Sequence, residues 1–262
     1  MAPTRDGVPL GATGNQPRER RRGSLMSAAD LVQRARSPVI YRWGGWPAMR
    51  FPLFATGTVK GFPGSGKSTI ATAAACCIAH DAGIEVLYVS SEEGGEVSAV
   101  ERFRRVGDML GIGVPKGVII SDATDVHEAD ADLAAYEQRL GGRKGFIVLD
   151  SLTQLRMAQC NWEDVMNSGH GTLFVLHTTT TGEARGGREP EFAASFNVSV
   201  DRDGTAVVTK SRWGATGEDH AFNARQPPSI FECAGADADT TQRSRSRSCS
   251  GAEIIPFPRR TP

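Results

Sequence analysis

The segment most informative about the fold is Gly61-Phe62-Pro63-Gly64-Ser65-Gly66-Lys67-Ser68-Thr69. It fits the pattern G-x-x-x-x-G-K-[ST], and it lies between an apolar strand pattern and a helical pattern, which is the context that this motif needs. The glycines let successive backbone N–H groups converge on phosphate oxygens, and the helix N-terminus adds positive potential. We expect Lys67 to reach the β- and γ-phosphates and the Ser68 hydroxyl to bind Mg²⁺. The stretch therefore predicts a site for ATP and Mg²⁺.

Strand and helix patterns alternate around this motif. The first five predicted strands are nearly continuous apolar runs, which is typical of buried parallel strands, and helical patterns long enough to cross back over a sheet separate most of them. The last two strands are joined by Arg202-Asp203-Gly204, which predicts an antiparallel hairpin. The fold class is therefore α/β, with a mainly parallel doubly wound sheet and a C-terminal hairpin. The predicted strands are 56–60, 85–91, 117–121, 145–150, 172–177, 195–201 and 204–210, and the predicted helices are 67–81, 96–110 and 126–140, with short helices around 151–167.

The composition indicates one domain with two tails. A chain of 262 residues has room for one α/β domain, and its net charge of +0 gives no bulk attraction to nucleic acid or membrane. The five cysteines form no C-x-x-C pair, and no apolar stretch is typical of a signal peptide or a spanning helix. We therefore expect a cytoplasmic protein with an ATPase domain at 27–225 and disordered tails at 1–26 and 226–262.

Asp150 is the candidate acidic ligand of the metal. It ends the apolar run Phe146-Ile147-Val148-Leu149, and Mg²⁺ needs such a hard oxygen ligand beside the phosphates. An Asp after a strand can instead cap the next helix. The presence of the phosphate-binding motif favours the metal ligand.

Other polar residues follow neighbouring strands. Glu92 and Glu93 could orient or deprotonate a water, or could form a solvated acidic turn. His177 could sense the γ-phosphate, or could be a hydrogen-bonded structural residue. Arg185 and Arg188 lie in a Gly/Thr/Arg-rich loop and could contact nucleic-acid phosphates or only solvent.

With these pieces in order, the sequence over residues 50–222 resembles the RecA-like ATPases, and most closely the ATPase core of the bacterial RadA (Sms) family. The match rests on the phosphate-binding stretch, on the strand ends Leu87–Glu93 and Ile147–Leu152, and on Lys210-Ser211-Arg212-Trp213-Gly214. The last segment is similar to the Lys-Asn-Arg-Phe-Gly signature of that family. We expect the core without the family's four-cysteine zinc module and protease-like domain.

The resemblance implies roles for several residues. Lys210 and Arg212 would reach from one subunit into the nucleotide site of its neighbour, where they would stabilise transition-state charge. Glu92 would activate water, with Glu93 as the alternative, and His177 is similar to the histidine after the sensing strand of the family.

The function implied is a Mg²⁺-dependent ATPase that works at the subunit junctions of a homo-oligomer, a hexameric ring or a filament, and acts on single-stranded or branched DNA in recombination, repair or replication. One alternative is a RepA-like hexameric replicative helicase. Another is a KaiC-like regulatory ATPase that uses no DNA. A P-loop kinase for a small acceptor is a further alternative, and it would be active as a monomer. A membrane partner is not expected.

Overall fold

The computed structural model of the chain describes residues 40–42, 50–92, 96–155, 157, 159–179, 189–214, 216–217 and 221–227. These residues all belong to one unit of the chain, Pro38–Pro262. The tails predicted at 1–26 and 226–262 lie outside the described residues, apart from Gln226 and Pro227.

The strands and helices alternate as the sequence predicts. The strands are β1 (Ile40–Arg42), β2 (Arg50–Pro52), β3 (Thr56–Gly61), β4 (Val86–Ser90), β5 (Val118–Ser121), β6 (Phe146–Asp150), β7 (Gly171–His177), β8 (Phe196–Val200), β9 (Thr205–Ser211) and β10 (Phe222–Asn223). The helices are α1 (Lys67–Asp81), α2 (Glu96–Leu110), α3 (Val126–Leu140), α4 (Leu152–Leu155), α5 (Gln159–Asn167) and α6 (Glu189–Ala193).

The main sheet has eight strands in the order β10-β9-β8-β3-β7-β6-β4-β5. The strands from β8 to β5 in this order pair in parallel, and β9 pairs antiparallel with both β8 and β10. The predicted parallel sheet and C-terminal hairpin are thus confirmed. Because β3 lies between β8 and β7, the phosphate-binding stretch leaves the sheet near its middle, where the strand order reverses.

Both faces of the sheet are covered. In β6, Phe146 and Val148 belong to the cluster on the α1 and α2 side, whereas Ile147 and Leu149 belong to the cluster on the α3, α4 and α5 side. This alternation follows from the two-residue period of a strand. A sheet that is buried on both faces explains why its strands read as continuous apolar runs.

Helix α1 is buried along most of its length, and small residues make this possible. Ala71, Ala75, Cys76 and Cys77 are fully buried, and α1 contacts both α2 and the strands of the sheet. Small side chains allow close approach on several sides of a helix. Neither Cys76 nor Cys77 forms a disulfide, and both lie in the core.

The sequence did not predict β1, β2, α6 and β10, each of which has five residues or fewer. Elements of this length are too short to show a periodic pattern. Strand β2 still contributes to the core through Phe51, whose ring stacks on Phe196 with the ring centroids 4.4 Å apart. None of the helices within the described ranges combines the length and the apolarity needed to cross a bilayer.

A substitution at Gly57 in β3 would test the packing of β3 against the Phe196 ring. A Cβ atom at this position would lie 1.9 Å from Cζ of Phe196, which is 1 % exposed. We expect Gly57→Ala to lower the free energy of unfolding by about 1–3 kcal/mol, because a buried ring has little room to move. Urea denaturation followed by circular dichroism would measure the change.

Gly117→Ala is the matched control, because a Cβ atom there would be 3.4 Å from its nearest neighbour, the Ile84 carbonyl oxygen. We expect its free energy of unfolding to change by less than about 1 kcal/mol. Equal stability of the two variants would contradict the packing described for Phe196.

Candidate active site

The phosphate-binding stretch connects β3 to α1 at the carboxyl edge of the sheet. Strand β3 ends at Gly61, and α1 begins at Lys67. Gly64 and Gly66 have φ values of 73° and 104°, in the left-handed region that favours glycine. A Cβ atom on Gly61 would lie 2.3 Å from the Val200 carbonyl oxygen. These glycines are therefore required by the shape of the loop.

The polar side chains of this loop fit a phosphate group. Lys67 is buried, and its Nζ donates a hydrogen bond to the Phe62 carbonyl oxygen at 2.8 Å. Burial lowers the pKa of Lys67, against the opposing effect of Glu92 and Asp150. The buried hydroxyl oxygen of Ser65 has no hydrogen-bond partner among the described residues. An anion with several acceptor oxygens would provide partners for both groups.

The structure brings together Ser68 and Asp150, the two residues predicted to bind the metal. Ser68 Oγ donates to Asp150 Oδ1 at 3.2 Å, and Asp150 is 2 % exposed. No group of three or more His, Cys, Asp or Glu residues in the described part of the chain is arranged to hold a metal ion. One hydroxyl and one carboxylate suit Mg²⁺ that takes its remaining oxygen ligands from phosphates and water.

The second oxygen of Asp150 has partners that sequence reasoning missed. Tyr88 Oη donates to Asp150 Oδ2 at 2.5 Å, and Arg102 Nη2 lies 3.7 Å from the same oxygen. Burial raises the pKa of Asp150, whereas Arg102 and Tyr88 act in the opposite direction. A signal was present in α2, because helical periodicity places Arg102 on the buried face with Ala99, Phe103 and Val106.

Glu92 and His177 come together above the ends of the strands. His177 is the last residue of β7, and its Nε2 is hydrogen-bonded to Glu92 Oε1. Burial raises the pKa of Glu92, but the hydrogen bonds with His177 and Ser151 and the charge of Lys67 outweigh burial, so the net shift is downward. Glu92 is therefore an anion that is partly buried beside the phosphate-binding loop. Glu93, Arg185 and Arg188 lie outside the described residues.

Lys210 and Arg212 lie away from the phosphate-binding loop of their own chain. In the sheet, Lys210 of β9 pairs with Asn197 of β8, and Asn197 pairs with Thr58 of β3. Thr58 lies three residues before the end of β3. This register puts Lys210 about 10 Å from the carboxyl edge along the strand direction, and Arg212 farther still. The structure thus does not bring these two residues to the loop.

The Lys210 ammonium is held near α6. Its Nζ donates to the carbonyl oxygens of Glu191 at 3.1 Å and Phe192 at 2.8 Å. Burial and the nearby Arg212 lower the pKa of Lys210, and Glu191 opposes them. Arg212 is exposed, and its backbone N–H donates to the Ser195 carbonyl oxygen.

Two further arginines flank the loop and were not identified from the sequence. Arg225 Nη2 donates to the carbonyl oxygens of Gly64 at 3.2 Å and Arg202 at 3.1 Å. The Arg202 guanidinium lies 4.4 Å from the centre of the Phe62 ring. Their positions depend on the β8–β9 turn and on β10, so no local pattern in the sequence could have indicated them.

The profile of the AAA domain family matches residues 16–169, which is more than half of the chain. The chain belongs to this family. It therefore carries a P-loop ATPase domain, and the predicted family relationship is confirmed.

One curated relative is the DNA repair protein RadA of Brucella abortus (strain 2308), which is 27 % identical over 146 residues. The match covers 56 % of this chain but only 28 % of that protein. A KaiC-like protein from Pyrococcus horikoshii OT3 superposes with a TM-score of 0.52 at 20 % identity, over 69 % of this chain and 92 % of that one. This similarity confirms the RecA-like α/β fold.

Proposed function

We propose that this protein is a Mg²⁺-dependent ATPase of the RecA/RadA type that hydrolyses ATP at the junctions between its subunits and acts on DNA. The observation that carries the proposal is the division of the predicted groups between two ends of the sheet. Lys67, Ser68, Asp150 and Glu92 lie at the carboxyl edge. Lys210 and Arg212 lie too far along the sheet to serve the same loop.

The first half of the proposed site binds and orients the substrate. Backbone N–H groups of residues 61–69 bind the phosphates, and Lys67 exchanges its bond to the Phe62 carbonyl for phosphate oxygens. Ser68 and Asp150 hold Mg²⁺, which when bound withdraws charge from the phosphates. Holding the reacting groups in one geometry removes much of the entropic part of the barrier.

Glu92 prepares the attacking water in this proposal. Its lowered pKa keeps it ionised at neutral pH, so it can accept a hydrogen bond or a proton from water. His177 orients the carboxylate through Nε2. Because His177 ends β7, next to β3, the pair can respond to the γ-phosphate bound at the neighbouring strand end.

The second half of the proposed site comes from a neighbouring subunit. Arg212 is exposed and can contact another chain, whereas Lys210 would leave the carbonyl oxygens of α6 to do so. Two cations that arrive beside the γ-phosphate would stabilise the charge that develops there. A homo-oligomer, either a hexameric ring or a filament, supplies this arrangement because each subunit offers both halves.

The DNA part of the proposal is supported by the similarity to RadA, which extends over 56 % of this chain. Arg185 and Arg188 remain the predicted contacts with DNA phosphates. The alternative without DNA is a regulatory ATPase, in which hydrolysis changes the binding of a protein partner.

Glu92→Gln tests the water-activating residue. The amide keeps the shape of the side chain but cannot accept a proton, so we expect hydrolysis to fall by about 10²–10⁴-fold. ATP affinity should stay within about threefold of the wild type. Phosphate release and equilibrium binding of a fluorescent ATP analogue would measure the two quantities.

Asp122→Asn is the control, because Asp122 is an exposed carboxylate that follows β5 at the same edge of the sheet. It should hydrolyse ATP at the wild-type rate. A Glu92→Gln protein with normal turnover would contradict the role of Glu92.

A mixing experiment tests the division of the site between subunits. Lys67→Ala and Arg212→Ala should each be inactive alone, because each lacks one half. In an equal mixture about a quarter of the junctions would combine an intact loop with an intact Arg212, so about a quarter of the wild-type rate should return. The rate is measured after subunit exchange, with mixed oligomers verified by mass.

A mixture of Lys67→Ala with Ser68→Ala is the control, because both changes damage the same half and no junction becomes intact. If mixed oligomers form but Lys67→Ala with Arg212→Ala gives no more activity than this control, Arg212 does not act between subunits.

Single-stranded DNA should increase the rate of ATP hydrolysis severalfold if DNA is the substrate. Binding should weaken steeply as salt increases, because contacts between arginines and phosphates release counterions. ATPase assays with and without DNA, and fluorescence anisotropy of a labelled oligonucleotide over a salt series, would measure both effects. If the rate of ATP hydrolysis is the same with and without DNA, and no salt-sensitive binding is seen, the DNA role is rejected and the regulatory ATPase is favoured.

A further inference from the structure

Arg102 is a charged residue in the interior of the protein. Its side chain is 6 % exposed, although it belongs to α2, a helix with an exposed face. Its Nε donates to Thr72 Oγ1 at 3.0 Å, and Nη2 donates to Tyr88 Oη and Ser90 Oγ, both at 3.4 Å. The guanidinium therefore joins α1, α2 and β4 immediately behind Asp150.

The two carboxylate oxygens of Asp150 have different surroundings. Oδ2 accepts from Tyr88 Oη at 2.5 Å and lies 3.7 Å from Arg102 Nη2. Oδ1 accepts from Ser68 Oγ at 3.2 Å, on the side of the phosphate-binding loop. Tyr88 is fully buried, and its ring packs edge-on against Phe103. The phenol is thus fixed in the core, and it fixes Oδ2 in turn.

Burying the Arg102 and Asp150 charges would be unfavourable in free energy if these side chains only filled the core. A buried ion pair contributes little net stability compared with apolar residues of the same size, because both charges lose their hydration. A polar network that contacts a metal ligand can instead contribute to metal binding. Partners of that kind hold the ligand in one orientation and increase its affinity for the metal.

We propose that Tyr88 and Arg102 are positioning residues for the metal site: they bind Oδ2 of Asp150 so that Oδ1 faces Ser68 and the divalent cation. This inference rests on the proposed function, in which Ser68 and Asp150 hold Mg²⁺. Tyr88 sets the direction of the carboxylate through its hydrogen bond to Oδ2. Arg102 supplies the positive charge that keeps a carboxylate in the interior before the cation arrives, and Thr72 and Ser90 hold the guanidinium in place.

The network also connects the metal ligand to the segment that carries Glu92. Helix α2 begins four residues after Glu92, and Arg102 lies in its second turn. Ser90 lies two residues before Glu92. Because Arg102 contacts both Ser90 and Asp150, the orientation of the carboxylate is tied to the strand end from which Glu92 extends.

The test is the Mg²⁺ dependence of nucleotide binding by Tyr88→Phe and Arg102→Gln in the full chain. Binding of a ribose-labelled fluorescent ATP analogue is measured over a Mg²⁺ series and in EDTA. We expect both variants to need about 10–100-fold more Mg²⁺ for half of the Mg²⁺-dependent gain in affinity. Affinity in EDTA should match the wild type, because both side chains act through Asp150, which serves the metal in this proposal.

Two control variants separate positioning from general damage to the core. Tyr136→Phe removes another buried hydroxyl, one that bonds the carbonyl oxygens of Glu85 and Phe146 instead of a carboxylate. Arg105→Gln removes an exposed arginine of the same helix. Both should keep the wild-type Mg²⁺ requirement, whatever their melting temperatures.

The outcomes are distinct. If Tyr88→Phe and Arg102→Gln have the same Mg²⁺ requirement as the controls, the positioning role is wrong and the proposed ATPase stands. If the wild type gains no affinity from Mg²⁺, the proposed metal site fails and this inference fails with it. If Arg102→Gln does not fold, Tyr88→Phe decides the question, because its ring remains in the core.

Discussion

The hydrogen bond between Ser68 and Asp150 joins the two parts on which the site depends. Ser68 belongs to the first turn of α1, and Asp150 is the last residue of β6. Their meeting requires β3 and β6 to be parallel with only β7 between them, since only then do the loop after β3 and the end of β6 share one edge. The order of the sheet and the packing of α1 on it are therefore conditions for the chemistry.

Two polar groups of the loop are not fully hydrogen-bonded within the described part of the protein in the way that a bound anion would allow. The Lys67 ammonium bonds a carbonyl of its own loop, and the buried Ser65 hydroxyl has no hydrogen-bond partner in the described structure. A buried polar group without a partner, as the Ser65 hydroxyl is within the described residues, lowers the stability of a fold by about 1–3 kcal/mol. Asp150 is different, because Tyr88 and Arg102 offset part of the effect of its burial. The fold thus holds the proposed metal ligand in place and leaves the proposed phosphate-binding groups available.

The register of the last hairpin has a consequence for assembly. Lys210 and Arg212 belong to the same sheet as the phosphate-binding loop, yet β9 runs antiparallel and takes them toward the opposite edge. A rigid sheet cannot bring both ends of its strands to one point. If these cations serve a nucleotide, it is the nucleotide of another subunit, and the chemistry then depends on how the chains associate.

The sequence alone was enough to predict the α/β class, the bounds of α1, α2 and α3, and the local context of the phosphate-binding loop. Each of these depends on contacts between residues close in the chain, or on a periodic pattern that one segment carries. The positions of Asp150 and His177 at strand ends were also predicted, because each ends a strand that is recognisable from its own apolar run. The short elements β1, β2, α6 and β10 were missed, since each has too few residues for a period.

The groups that surround these residues depend on tertiary packing. Tyr88 and Arg102 reach Asp150 from 62 and 48 positions away in the chain, and Arg225 reaches Gly64 from 161 positions away. A buried tyrosine and a buried arginine look like an ordinary core residue and an ordinary surface residue when only their neighbours in sequence are considered. Their proposed roles follow from burial and charge in three dimensions. The packing of α2 and β4 brings both side chains to the buried Asp150 carboxylate, where they stabilise its charge.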